Sequence, residues 1–186
     1  AAEHLISELD FVKFAEIYSK YLPPQVIVSD EGVVNLVKHD MYYCKREDRK
    51  NDLILLTGDY QGLTPEGQYT LAYETINFSK EIGVSMIFTL GGFGVVRMVS
   101  EPNVLGAVTD KDMVEEFKKF GVVFNKGEPS SGIIGASGLL LGLGKLEKMP
   151  GICLMGETSG YFVDPRSSRA VLEVLGDSRS QRFREF

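Results

Sequence analysis

The chemistry this chain can offer is concentrated where its apolar runs end. Asp52–Thr57 leads into Gly58-Asp59, Val84–Leu90 into Gly91-Gly92-Phe93-Gly94, and Gly151–Met155 into Gly156-Glu157-Thr158-Ser159-Gly160. In open parallel sheets, ligands bind just beyond the carboxyl ends of the strands, where bare backbone N–H groups mix with a few polar side chains. On that rule Asp59, Gly91, Gly92, Arg97, Glu157 and Thr158 face one ligand crevice. The competing reading is that the glycines only turn the chain sharply as it leaves each strand. Asp59 and Glu157 would make an acid/base pair if the fold brought them together. They would equally suit a magnesium ion, which often takes only one or two carboxylates. The plainer duty of an Asp after a strand is a turn or a helix cap.

No catalytic residue, metal site or cofactor is assigned. Gly156 to Gly160 has the outline of a nucleophile elbow with Thr158 at its centre, but that motif needs a helix straight after it. Here Tyr161-Phe162-Val163-Asp164-Pro165 intervenes. His4 and His39 are the only imidazole bases; His4 falls in the opening helix and His39 at a polar turn, so both read as surface residues. Gly135-Ala136-Ser137-Gly138 lies inside a helical pattern. Gly142-Leu143-Gly144-Lys145 lacks the spacing and hydroxyl of a phosphate-binding loop, and Gly92-Phe93-Gly94 lacks the third glycine of a dinucleotide fingerprint. With two histidines and two separated cysteines, no zinc site assembles. Tyr42, Tyr43, Tyr60, Tyr69 and Tyr73 form either an exposed aromatic patch of the kind that marks interfaces or ordinary half-buried packing.

The elements that position these residues read as follows. Leu5, Ile6, Leu9, Phe11 and Val12 give a short helix that ends before Pro23-Pro24. Gln25–Ser29 and Val33–Lys38 form a hairpin around Asp30-Glu31-Gly32, with a third antiparallel strand at Met41–Lys45. Lys45–Asp52 is a solvated loop. The continuous apolar run ending at Thr57 suggests a parallel strand buried on both faces. A helix follows, with Thr64 as cap, Pro65 at its first position, apolar positions Tyr69, Ala72, Tyr73 and Ile76 at helical spacing, and Gly83 at its end. With the next strand this makes a right-handed parallel crossover.

Val104–Val108 is a strand. Thr109 or Asp110 caps a helix with Met113, Val114, Phe117 and Phe120 inward, stopped by Gly121, and Val122–Phe124 is another strand. Ser130-Ser131 caps an Ile133–Leu146 helix that is apolar all round, hence expected to be buried, with Gly135, Gly138 and Gly142 near one face. Pro165 opens a last helix with Val171, Leu172 and Leu175 inward, and 176–186 has no assigned structure. The whole is an α/β chain whose 186 residues fit a single domain over 1–186. Its opening at Ala1-Ala2-Glu3 reads as an uncapped helix, so a further N-terminal strand is expected upstream.

Composition narrows the partners. A net charge of −6 without a basic run argues against nucleic acid. The most apolar stretch is shorter than the roughly 20 residues a membrane span needs. Cys44 and Cys153 sit in strand-like runs, where a small buried thiol is expected, which suits a cytoplasmic protein.

Several stretches, taken in order, carry a resemblance. They are Pro23-Pro24-Gln25, Leu55 to Gln61 (Leu-Leu-Thr-Gly-Asp-Tyr-Gln), Thr89 to Phe93 (Thr-Leu-Gly-Gly-Phe), Gly132 to Leu141, and Gly156 to Tyr161 with Asp164-Pro165 after it. The chain resembles the proteasome assembly chaperone family, in its archaeal form, over roughly Leu5 to Leu175. The resemblance implies a three-layer α/β/α fold with a mixed, mostly parallel sheet, related to nucleoside phosphorylases and peptidyl hydrolases. It also implies homo-oligomers and, for some members, help in proteasome assembly. Members are sometimes labelled ATP-grasp-like; without a phosphate-binding motif that label is not carried over, and kinship of fold does not carry chemistry with it. Members usually begin with a strand and a Gly-Phe-Pro-Gly turn ahead of the helix that opens this chain. Proteasome-binding members end in a hydrophobic residue, Tyr and any residue, where this chain has Arg184-Glu185-Phe186.

The leading expectation is a non-enzymatic, homo-oligomeric protein-binding module of this chaperone type, with itself and proteasome subunits as partners. The rival is a nucleotide- or nucleoside-binding enzyme or sensor that uses the crevice.

Overall fold

The computed structural model describes residues 1–47, 51–97, 99–125, 129, 132–160 and 164–182, with 178–182 described by backbone alone. Within the span read as one domain, the chain forms two compact units, Ala2–Phe78 and Ser79–Phe186, the latter with Ala1.

In the first unit, α1 (Ala2–Glu8) is shorter than its apolar pattern suggests, because β1 (Val12–Ile17) follows where helix was expected. Strict alternation does not mark this strand, since Lys13 and Glu16 interrupt both of its faces. It is fixed by antiparallel pairing with β4 (His39–Cys44), from Val12↔Tyr43 to Ile17↔His39. The ladder outweighs the local helical spacing, and a bulge interrupts it between Lys13 and Ala15. The expected hairpin is present as β2 (Val26–Val28) and β3 (Val34–Leu36), and Gly32 supplies the positive φ its turn requires.

β4 does not extend that hairpin. It lies between β1 and β5 (Leu53–Gly58) in an antiparallel three-stranded sheet of order β1-β4-β5. β5 is therefore not the doubly buried parallel strand expected: its residues are only half-buried, and among the described residues no ladder joins it to β6 (Ile87–Gly94). A small core of Leu22, Val37 and Leu71, with Ile17 and Tyr21 against it, holds this unit together.

α2 (Pro65–Glu81) starts and stops as its sequence signals require. The Thr64 hydroxyl accepts the Gly67 N–H at 3.1 Å, and Gly83 ends the helix with a positive φ. Its buried face keeps Ala72 and Ile76 of the helical repeat and leaves the two tyrosines outside. Leu71, Ala72, Thr75, Ile76 and Ser79 are buried, whereas Tyr69 and Tyr73 are exposed.

The second unit is built on a mixed sheet of order β6-β9-β7-β8, with β7 at Val104–Val108, β8 at Val122–Val123 and β9 at Gly151–Thr158. β6 is parallel to β9 and β7 to β8, while β7 runs antiparallel to β9. Helices and a mostly parallel mixed sheet make the fold α/β, as expected. The glycine clusters are not loops. β6 runs on through Gly94 and β9 through Thr158, pairing Gly91↔Met155, Gly92↔Gly156, Phe93↔Glu157 and Gly94↔Thr158.

α3 (Asp112–Lys118) buries Met113 and Phe117, and Phe117 meets Phe88 and Phe120 edge-on. Neither Thr109 nor Asp110 caps it; Lys111 is the cap, without a side-chain bond. Thr109 instead receives the Gly151 N–H on its hydroxyl at 3.0 Å, tying the end of β7 to the start of β9.

α4 (Ala136–Leu146) begins at Gly135, whose positive φ ends the preceding loop, not at Ile133. It is not buried all round: Leu141 and Gly144 are buried, while Leu146 and the preceding Ile134 are exposed. Gly138 is needed locally, because a Cβ there would overlap the Ile133 carbonyl. Leu141 packs with Leu105, Cys153 and Met155. The Ser130-Ser131 cap lies outside the described residues.

α5 (Pro165–Arg182) is capped by Asp164, whose Oδ1 accepts the N–H groups of Arg166 (3.1 Å) and Ser167 (3.2 Å). Val171 and Leu175 are buried as expected. Residues 176–182, left unassigned in the sequence, continue this helix; Arg184-Glu185-Phe186 lie outside the described residues.

Candidate functional site

Strand alternation puts Gly92, Gly94, Gly156 and Thr158 on one face of the β6–β9 pair and Gly91, Phe93, Met155 and Glu157 on the other. On the first face, α5 approaches so closely that a Cβ on Gly156 would overlap the Ser167 hydroxyl and come within 3.0 Å of Val171. Where the strands run past α5, a pocket of about 310 Å³ opens, lined by Leu90, Gly91, Gly92 and Thr158 from the strands and by Asp164, Ser167, Ser168 and Val171 from the helix start. The structure thus brings Gly91, Gly92 and Thr158 of the expected crevice to one pocket.

Glu157 does different work. Its side chain is almost buried, and its Oε2 accepts both the backbone N–H of Asn103 (3.1 Å) and the Asn103 side-chain amide (2.9 Å). Its own N–H donates to the Asn103 carbonyl at 2.9 Å, and Arg97 approaches Oε1 at 3.7 Å from an exposed position. Each donor is a bond the carboxylate would have to break before acting as a base. Glu157 and Arg97 therefore clamp the segment that enters β7, and neither lines the pocket.

Asp59 belongs to the other unit, at the end of β5. Its N–H donates to the Lys38 carbonyl (3.3 Å), and its carboxylate accepts the Lys38 N–H (3.4 Å), which is the turn duty set out above. His39 is not at the tip of a polar turn. It opens β4, half-buried, paired with Gly58, and its Nε2 lies 2.7 Å from the Tyr60 carbonyl. Gly58 is required there, since a Cβ would strike the imidazole ring. His4 is exposed.

Two groups escaped the sequence reading. Asp164, Ser167 and Ser168 occupy the first turn of α5; the Asp-Pro start signal locates that turn but gives no hint that it borders a pocket. The second is a charge network on the β1–β4 sheet. Glu16 Oε1 is paired with Lys13 (2.7 Å) and with Lys38, and Tyr18 donates to Oε2 at 2.8 Å. The hydrogen bonds from Lys13, then Lys38 and Tyr18, hold the Glu16 carboxyl down from its ordinary 4.5 to about 2. Asp40 Oδ1 has no hydrogen bond of good geometry but sits 3.5 Å from Lys13 and 3.2 Å from Lys38. Two ammonium groups balance two carboxylates, so the network is internally neutral and poised to hold a sheet together, not to move protons. Reading β1 as helix hid it.

Among the described residues, no three His, Cys, Asp or Glu side chains come together as a metal site. No helix among them is long and apolar enough to cross a membrane.

Comparison with known proteins agrees with this architecture. The PAC2 family profile matches residues 1–179. An uncharacterized protein of Methanocaldococcus jannaschii, MJ1210, is 42% identical over 173 residues, covering 93% of this chain; the chain spans 65% of that relative's length. The crystal structure of Pyrococcus furiosus PbaB, an archaeal proteasome activator, superposes with a TM-score of 0.90 at 40% identity, over 96% of this chain and 77% of that one. Pyrococcus furiosus PbaA, an archaeal homologue of proteasome-assembly chaperone, gives a TM-score of 0.77 at 26% identity, over 95% of this chain and 69% of that one. On the sequence match and the shared fold together, the chain belongs to the PAC2 family, that of the proteasome assembly chaperones.

Proposed function

We propose that this chain is a non-enzymatic, homo-oligomeric protein-binding module of the proteasome assembly chaperone type, acting on proteasome subunits in the cytoplasm. The observation that carries the reading is the match to PbaB, at 40% identity over nearly the whole chain. The polar groups around the strand ends support it, because they are spent on structure: Glu157 on Asn103 and Arg97, Asp164 on the first turn of α5, Asp59 on Lys38. The finer fold reading is a three-layer α/β/α arrangement of the phosphorylase/hydrolase kind. Its support is that α4 packs on the Cys153–Met155 face of β9 and α5 on the Gly156 face. The test is capture of the purified proteasome core particle of the same organism by the immobilised chain, with sedimentation analysis of the chain alone. Failure to bind core particles or their free subunits sinks the chaperone role.

The pocket of about 310 Å³ at Gly91, Gly92 and Thr158 favours a second reading, a binding site for a small molecule such as a nucleoside. Saturable binding of a nucleoside, abolished by Gly92→Val, would establish that reading in place of the first.

A further inference from the structure

The pocket at the start of α5 holds polar groups that the fold itself does not use. Ser167 is only 6% exposed, yet among the described residues its hydroxyl makes no hydrogen bond; only its backbone N–H is engaged, by Asp164. The hydroxyl lies over Gly156, where an added Cβ would overlap it, and Gly92, paired with Gly156 across the ladder, lines the pocket. A buried hydroxyl without a partner is unfavourable, so a ligand that bonds to it is stabilised. Asp164 caps α5 with Oδ1, while its Oδ2 makes no hydrogen bond among the described residues. Thr158 accepts the Gly160 N–H on its hydroxyl, which leaves the hydroxyl proton free to donate. β6 adds backbone groups. Ile87 donates to the Pro150 carbonyl and Val95 to that of Thr158, so the odd-numbered residues of β6 bond toward β9. Gly92 therefore turns its N–H and C=O to the other edge, with which no strand pairs among the described residues.

We propose that this pocket binds an uncharged ligand through a vicinal diol, as carried by the ribose of an unphosphorylated nucleoside or by a free pentose. The proposal rests on the small-molecule reading of the pocket given above and names the chemistry that selects the ligand. Charge excludes the ionic alternatives. Among the described residues no Lys, Arg or His lines the pocket, so a phosphate would meet the Asp164 carboxylate without a cation to offset it. A cation gains little, because that carboxylate already faces the positive end of α5, a helix of 18 residues. The groups left over suit hydroxyls. Asp164 Oδ2 has the lone pairs to accept from two neighbouring O–H groups, and the Ser167 and Thr158 hydroxyls can donate to the same ligand oxygens. Leu90 and Val171 provide an apolar wall for the rest of the molecule. At about 310 Å³ the pocket lies at the small end of ligand sites, which run to roughly 300–1,000 Å³.

The test is titration calorimetry of the full chain with adenosine, uridine, D-ribose, 2′-deoxyadenosine and adenosine 5′-monophosphate. Adenosine or uridine should bind saturably, and the monophosphate more weakly than adenosine. Asp164→Asn keeps a capping oxygen but puts an amide nitrogen in place of Oδ2. It should weaken nucleoside binding by roughly 10- to 100-fold, as loss of a hydrogen bond to a charged group does, with an unchanged circular dichroism spectrum. On the wild-type chain, 2′-deoxyadenosine should lose a similar factor against adenosine, a comparison that needs no variant to fold. Ser167→Ala should weaken binding by roughly 2- to 10-fold. Ribose that binds as tightly as the nucleosides would make the free sugar the ligand; tighter nucleoside binding would make it the nucleoside. No binding of any probe at millimolar concentration overturns the small-molecule reading and this inference together. Adenosine that binds while 2′-deoxyadenosine and Asp164→Asn match it overturns the diol assignment alone. So does a monophosphate that binds more tightly than adenosine, since the pocket would then select charge.

Discussion

Adding one methyl group at Gly156 tests how tightly α5 is seated on β9. An alanine Cβ there would overlap the Ser167 hydroxyl, lie 2.8 Å from the Ser167 carbonyl oxygen and 3.0 Å from a Val171 methyl. The hydroxyl can rotate away, but the carbonyl belongs to the helix backbone, so the helix itself must shift. Overpacking of this kind costs about 1–3 kcal/mol, against which alanine recovers about 0.4–1 kcal/mol by restricting the unfolded chain. The net loss for Gly156→Ala is therefore about 1–2 kcal/mol. For a chain of this size that lowers Tm by roughly 2–8 °C. Gly142→Ala is the matched control. It lies in α4 with no atom within 4 Å of the new methyl, so it should gain about 0.5–1 kcal/mol from helix propensity. Adding Ser167→Gly to Gly156→Ala should restore only part of the loss, because it removes the hydroxyl and leaves the carbonyl. Thermal unfolding followed by circular dichroism reads all three. A Gly156→Ala variant that melts at or above the wild type would refute the packing described for this face.

Further outcomes are expected elsewhere. Glu157→Ala should cost about 1–3 kcal/mol in urea unfolding, because it strips the acceptor from two Asn103 donors; Glu157→Gln should cost less, and equal costs would show that the amide cannot replace the clamp. Glu16 has a folded pKa of about 2, below its ordinary 4.5, so its share of stability is complete above pH 4.5 and drains away as the pH falls toward 2. Glu16→Gln should flatten that acid limb, and an unchanged limb would mean the network adds nothing. Asp164→Ala should lose about 1 kcal/mol with the cap of α5, read as the same shift in denaturant midpoint. Neither cysteine should react with a disulfide reagent before unfolding, since both are buried and burial pushes the Cys153 thiol up; rapid labelling of the native chain would contradict that burial.

What the sequence revealed, and what it hid, follows from the range of the forces involved. α2 was legible because its signals are local: a threonine that caps, a proline that starts, a glycine that ends. The same holds for the Asp30-Glu31-Gly32 turn and for the helix after Asp164. β1 was not legible, because Leu5, Leu9 and Val12 share helical spacing and only a distant partner strand, β4, paired from Val12↔Tyr43 to Ile17↔His39, decides the matter in favour of strand. The glycine clusters misled for a related reason. Glycine after an apolar run signals a turn, yet at Gly156 and Gly92 it marks close approach of neighbouring side chains to a strand that continues. Strand-end logic points to Gly91, Gly92 and Thr158, which border one pocket. The role of Glu157 depended on Asn103, whose position relative to β9 no local pattern encodes.

The bulge in β1 bears on what the open edge of its sheet can pair with. β1 is the outer strand of its sheet, and exposed Val12 and Phe14 make it a tempting template for any passing strand. Between Lys13↔Tyr42 and Ala15↔Met41 one residue, Phe14, drops out of register. That extra residue bends the strand and breaks the even row of donors and acceptors that a second strand would need. Lys13, anchored beside Glu16, keeps a charge at the same place. The rim of the sheet is thereby closed to indiscriminate stacking.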